Sequence, residues 1–182
     1  MRKLLVVLLV NSLCFLAIGC HHDGRLQAPA VDDFSVVPNL VTHDVTTLVS
    51  DSGTTRYRIK ARTWAIYDKA DPEHWEFPKG LYLEKFNEDL TVDASMEANY
   101  AYYNKRDRLW RLEGAVHALN QQHEQFDTEL LFWDQNAERI YTDSLITISR
   151  PSSVIVGIGF ESNQTMSRYT ILQPTGYFPI EE

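Results

Sequence analysis

Cysteine is almost absent from this chain: its 182 residues include two, Cys14 and Cys20. Beyond position 20 no thiol remains, so that part of the chain has neither a disulfide framework nor thiolate chemistry. Basic charge is also scarce. Lysines and arginines number 17 against 25 aspartates and glutamates, a formal net charge of −8. Such a surface repels a phosphate backbone and argues against nucleic acid as a partner. The chain lacks Gly-x-Ser-x-Gly, His-Glu-x-x-His, a phosphate-binding glycine loop and Cys-x-x-Cys. The histidines do not fill the gap. His21 and His22 adjoin in a polar stretch, and His117 and His123 stand either side of an expected turn. Asp134 and Asp143 flank an expected hairpin and read as turn and ladder-end residues. No catalytic residue, metal site or cofactor is expected.

Long apolar runs are missing too, with one exception. Leu4 to Ile18 is apolar apart from Asn11 and Ser12 and follows Arg2 and Lys3. At about 15 residues it falls short of the roughly 20 that a membrane span needs and matches a secretory signal. Ala17-Ile18-Gly19-Cys20 resembles the lipobox of bacterial lipoproteins. The resemblance implies cleavage before Cys20 and acylation of that residue, an anchor to the membrane through lipid. Residues 1–19 are then the signal and 20–39, with Gly24, Pro29 and Pro38, a flexible tether. The domain proper is residues 40–182.

From Leu40 onward the sequence alternates with period two, the strand signature. Tyr57, Ile59 and Ala61 face one way, and Arg56, Arg58, Lys60 and Arg62 the other. The basic row reads as a solvated outer face. Val92, Ala94, Met96, Ala98 and Tyr100 share a face. So do Trp110, Leu112 and Val116, and so do Ile140, Ile146 and Ile148. Val156, Ile158 and Phe160 line up opposite Gly157 and Gly159. The stretch Glu124–Trp133 has helical composition, but Phe126, Thr128, Leu130 and Phe132 alternate, which favours a strand. Turn signals separate the runs, among them Asp51-Ser52-Gly53, Asn87-Glu88-Asp89 and Arg150-Pro151-Ser152. Trp75, Trp110 and Trp133 mark a recurring unit of strand, turn and strand. One such unit cannot bury its apolar face alone, so the fold class expected is all-β, with two antiparallel layers packed face to face.

Several motifs in order resemble the LptC family: Ala98-x-x-Ala101-x-Tyr103, Trp110-x-x-x-Gly114-x-Val116, Thr128-Glu129-Leu130, Ile140-Tyr141-Thr142-Asp143 and Gly157-x-Gly159-Phe160. The resemblance runs from about Leu40 to Tyr177. It implies an open β-jellyroll whose V-shaped groove holds the acyl chains of lipid A. It also implies periplasmic location at the inner membrane and a non-enzymatic role in lipopolysaccharide export. The implied partners are the periplasmic domains of an ABC transporter (LptF/LptG-like permeases) and an LptA-like bridge protein. The chain departs from many members in carrying a lipid site at Cys20 where they have a transmembrane helix. Inward-facing positions then become groove candidates: Tyr57, Ile59, Val92, Ala94, Met96, Ala98, Tyr100, Trp110, Leu112, Val116, Leu130, Phe132, Ile140, Ile146, Ile148, Val156, Ile158 and Phe160. The first strand, with Val41, Val45 and Val49, and the last, with Tyr169, Thr170, Ile171 and Leu172, are candidate edges for partners. Two other readings fit the same composition. One is a scaffold lipoprotein with a filled core that binds only protein, and the other a surface carbohydrate-binding or carbohydrate-cleaving β-sandwich.

Overall fold

The computed structural model describes Asp33 and residues 35–179. The expected signal, Cys20 and most of the tether lie outside the described residues. Within them the chain is β throughout: β1 (Leu40–Asp51), β2 (Thr54–Tyr67), β3 (His74–Phe77), β4 (Leu81–Phe86), β5 (Val92–Ala98), β6 (Tyr100–Asn104), β7 (Leu109–Asn120), β8 (Gln125–Asp134), β9 (Arg139–Arg150), β10 (Ser153–Asn163) and β11 (Tyr169–Pro179). The stretch with helical composition is strand β8, as its alternation indicates.

The register shows a simple plan. β4 pairs with β2 through Tyr57–Ala61, and β3 pairs with the same strand through Ala65–Tyr67. On the far side β4 pairs with β5, and β3 with β6. So β3 and β4 are one strand interrupted at Pro78–Gly80, and β5 and β6 are one strand interrupted at Asn99. The whole domain is then an antiparallel meander from β1 to β11, bent across its middle. The bend is a line of irregular backbone running from strand to strand. Gly80, Gly114 and Gly159 have positive φ, as does Ala115 beside Gly114. Register slips fall between Glu113 and Val116, between Thr128 and Phe132, and between Ile158 and Phe160. Such bulges insert an unpaired residue and sharpen the local bend. Neighbouring strands break at the same level: the Asn99 amide donates to the Gly114 carbonyl at 2.9 Å.

Bending a meander across its strands makes two half-sheets that face each other, the jellyroll. Ile59, Leu83, Met96, Ile146 and Ile148 from one half join Phe77, Leu112, Leu131, Ile140 and Phe160 from the other in a single buried cluster. Rings touch across the layers: Tyr57 with Trp133 at 5.4 Å and Phe126 with Phe160 at 5.5 Å. Each buried aliphatic or aromatic side chain contributes roughly 1.5–3 kcal/mol, which is what holds the layers together.

The register slips also correct the expected faces, because a difference of one residue between neighbouring strands reverses a period of two. Leu130 and Phe132 point outward; after the slip Leu131 and Trp133 take the inner positions. Phe132 stacks instead on Tyr141 outside. Val156 and Ile158 also point outward, Ile158 being 42 % exposed. Ile155 and Gly157 face in before the slip at Gly159, and Phe160 after it. Val92 lies at the end of β5, past a slip between Lys85 and Phe86, and is 43 % exposed. Tyr100 follows the break at Asn99 and falls on the outer face, where Glu76, Arg111 and Glu113 surround its hydroxyl; Ala101 is buried in its place. The other expected inward residues are on the core side. The last strand does not stop at Pro174 and Gly176: β11 runs to Pro179, and its register with β10 shifts opposite Pro174. A proline is tolerated there because the strand is an edge and the ladder is already broken.

Tyr100 yields a pH prediction. Burial, reinforced by the Glu76 carboxylate, pushes its phenol up to about 12. Below pH ~10 the group is protonated in both folded and unfolded chains. Between its ordinary and raised values the unfolded chain alone loses the proton, so stability falls as pH rises through that window. Tyr100→Phe is expected to flatten the fall. Urea midpoints compared at about pH 9 and about pH 11 check this; an undiminished fall in the variant counts against it.

Candidate functional site

Where the two half-sheets meet at their free ends, the slit between them is closed along part of its length and open along the rest. The closed part lies at the β10–β11 side. The Asn120 side-chain amide donates to the Met166 carbonyl at 3.1 Å, from the β7–β8 turn to the β10–β11 loop. Arg150 Nε sits 2.8 Å from Glu124 Oε1, and the Tyr169 hydroxyl donates to the same carboxylate oxygen at 3.2 Å. Met166 is fully buried beneath these contacts. Trp133 Nε1 donates to Gln164 Oε1 at 3.1 Å and ends the seam.

Beyond that seam the slit opens as a cleft of about 400 Å³. One wall is Val49, Tyr57, Ile59, Leu83 and Phe86 from β1, β2 and β4; the other is Trp75, Tyr103, Trp110 and Trp133 from β3, β6, β7 and β8. The aromatic wall is continuous: Tyr103 stacks on Trp110 at 4.6 Å, and Trp110 on Trp133 at 6.3 Å. Trp110 Nε1 is buried with no hydrogen-bond partner, an unmet donor in the wall. Arg56, Lys85, Arg108, Asp51 and Glu138 form the rim. Lys85 is held by Asp93 at 2.6 Å. Burial pushes the Tyr57 phenol up, against the pull of Arg108 and Arg56.

Of the expected groove residues, Tyr57, Ile59 and Trp110 line this cleft. Ala94, Met96, Ala98, Leu112, Val116, Ile140, Ile146, Ile148 and Phe160 lie within the packed core. Trp75, Tyr103 and Trp133 are wall residues that alternation alone does not single out. Trp75 and Trp133 lie in one half-sheet with β6 and β7 between their strands, and only the way that half faces β1, β2 and β4 puts them at an opening. The basic row is split. Arg58 pairs with the buried Glu84 at 2.8 Å and Lys60 lies over the Tyr82 ring, both on the outer face. Arg56, at the strand end, reaches the rim.

The chain ends of the meander also match expectation in position. β1 pairs only with β2, and β11 only with β10. Each leaves one edge unpaired among the described residues. On β1, Val45 and Val49 pack against the core while Val41 is exposed. On β11, Tyr169 and Ile171 pack inward and Thr170 and Leu172 face out. His117 Nδ1 lies 2.6 Å from Asp127 on the outer face, and His123 sits in a turn.

The aromatic-walled cleft between two halves of a bent meander offers a surface that can bury an apolar chain. No curated protein matches the chain. A family model described as lipopolysaccharide-assembly, LptC-related, matches residues 4–176. The chain therefore belongs to the LptC family, components of lipopolysaccharide transport.

Proposed function

We propose that the protein is a non-enzymatic carrier in the export bridge. It receives lipopolysaccharide from an inner-membrane ABC transporter and passes it to an LptA-like partner. Cys20, acylated, anchors it to the inner membrane, with the jellyroll in the periplasm. The observation that carries this reading is the open, aromatic-walled cleft in an LptC-family fold. An acyl chain of about a dozen carbons loses roughly 10 kcal/mol of burial when lifted into water, at ~0.8 kcal/mol per methylene. A wall of tryptophan, tyrosine and aliphatic side chains offsets that loss without directional bonds. At about 400 Å³ the cleft is at the small end of the roughly 300–1,000 Å³ usual for ligand sites. It takes one chain at a time, and further chains require the half-sheets to part. The unpaired edges of β1 and β11 support strand addition by the transporter and the bridge respectively, through backbone hydrogen bonds.

The filled core favours one rival, a scaffold that binds only protein. Photocrosslinking in cells separates the two. A photoreactive residue at Tyr57 is expected to capture lipopolysaccharide, and one at Tyr100 on the outer face is not. A photoreactive residue at Thr170 is expected to capture the bridge protein. Protein capture at Thr170 with no lipid at Tyr57 leaves the scaffold reading standing and the carrier reading fails.

A further inference from the structure

The rim of the cleft holds two arginines from opposite halves. Arg56 comes from β2, and Arg108 from the turn between β6 and β7. Neither has a carboxylate within ion-pair distance among the described residues. Arg58, Arg111, Arg139 and Arg150 by contrast pair with glutamates, and of the arginines without such a partner only Arg56 and Arg108 line the cleft. Arg108 lies against the Tyr103 hydroxyl, and both guanidiniums act on Tyr57. Their charge is thus directed at both walls of the mouth, Tyr57 on one and Tyr103 on the other, where an inserted chain would emerge.

A guanidinium binds a phosphate oxygen pair through parallel N–H donors, and does so better where water is partly excluded. We propose that Arg56 and Arg108 form a phosphate clamp at the cleft mouth, so that the site selects an anionic amphiphile with its chain on the aromatic wall and its phosphate between the two side chains. This rests on the lipid-binding reading above and names the head-group chemistry of the same site. Asp51 and Glu138 share the rim. They nearly cancel the local charge, so a phosphate without a chain is not drawn in; the clamp acts on a ligand that burial has already seated.

The test titrates the full chain, held in zwitterionic nanodiscs, with dodecyl phosphate, dodecyl maltoside and inorganic phosphate. Tryptophan fluorescence is the readout, since three tryptophans line the cleft, and partition into empty nanodiscs is subtracted. Dodecyl phosphate is expected to bind roughly tenfold tighter than dodecyl maltoside, the scale of charge-assisted hydrogen bonds. Inorganic phosphate is expected to bind far more weakly than either. Replacing both arginines (Arg56→Gln with Arg108→Gln) is expected to erase the preference, so that the two amphiphiles bind alike, and an unchanged urea midpoint shows that the variant is folded. Equal binding of the two amphiphiles, or a preference that survives the double substitution, overturns the clamp while the cleft stands. Tight binding of inorganic phosphate alone overturns it in favour of a plain anion site. If neither amphiphile binds, the lipid-binding reading itself falls and the clamp with it.

Discussion

Trp133→Ala is expected to destabilise the fold by about 3–5 kcal/mol, the range for truncating a buried large aromatic. Trp133 is 1 % exposed and joins the two half-sheets. Its ring meets Tyr57 edge-on across the layers at 5.4 Å and stacks on Trp110. Its Nε1 donates to Gln164 where the closed seam ends. Truncation therefore removes packing, an inter-layer contact and a hydrogen bond together. The cost should fall toward the lower end, because the space left behind opens into the existing cleft and can take up water. In a chain of this size the loss corresponds to a fall in Tm of roughly 10 °C. Phe132→Ala is the control. Phe132 is the neighbouring residue and an aromatic of similar rank in the sequence pattern, but it stacks only on Tyr141 outside. Its truncation is expected to cost about 1 kcal/mol, the worth of such a surface pair. Similar losses for the two variants would mean that the register slip along β8 does not reverse the faces, and the wall of the cleft would have to be redrawn.

Gly157→Val is expected to cost about 3 kcal/mol and to loosen β11 from β10. A Cβ at this position would lie 2.3 Å from Ile171 Cγ2, 2.9 Å from the Gln173 carbonyl oxygen and 3.2 Å from Pro174 Cα. Ile171 can turn away, but the other two contacts are backbone, so relief comes only by displacing the strand. The damage is directional. Among the described residues β11 has no second neighbour to hold it, while β9 and β10 stay paired along their length. Hydrogen exchange should rise across residues 169–179 and little elsewhere. Gly53→Ala offers the contrast, with nothing within 4 Å of the added Cβ and only a positive φ to strain. It is expected to cost about 1 kcal/mol and spread no further than its turn. Uniform exchange across the domain in Gly157→Val would show that β11 is integral to the core, and not a separable edge.

Both effects arise at places where the pattern of the sequence and the shape of the fold part company. Strands were legible because their alternation reflects the pleat, and turns because Asp51-Ser52-Gly53 or Asn87-Glu88-Asp89 carry residues suited to tight backbone. The Trp110-x-x-x-Gly114-x-Val116 motif shows what remains hidden. Its glycine hints at irregular backbone, and Trp110 and Val116 do face inward on either side of it. In β8 the matching slip falls between Thr128 and Phe132, a stretch with no such signature, and the faces of Leu130 and Phe132 come out reversed. The same happens to Val156 and Ile158 on one side of Gly159.

The amino-acid sequence alone determined the all-β class, the order of strands and turns, the unpaired terminal strands and membership of the LptC family, because each depends on local periodicity or on motifs in fixed order. Which side chains line an opening was decided only in three dimensions. Tyr57 and Trp133 are distant in the chain and meet because a row of bulges folds the meander on itself. Register slips of one residue cost too little to leave a consistent mark in composition, yet in β8 and β10 such a slip exchanges inside for outside along the rest of the strand.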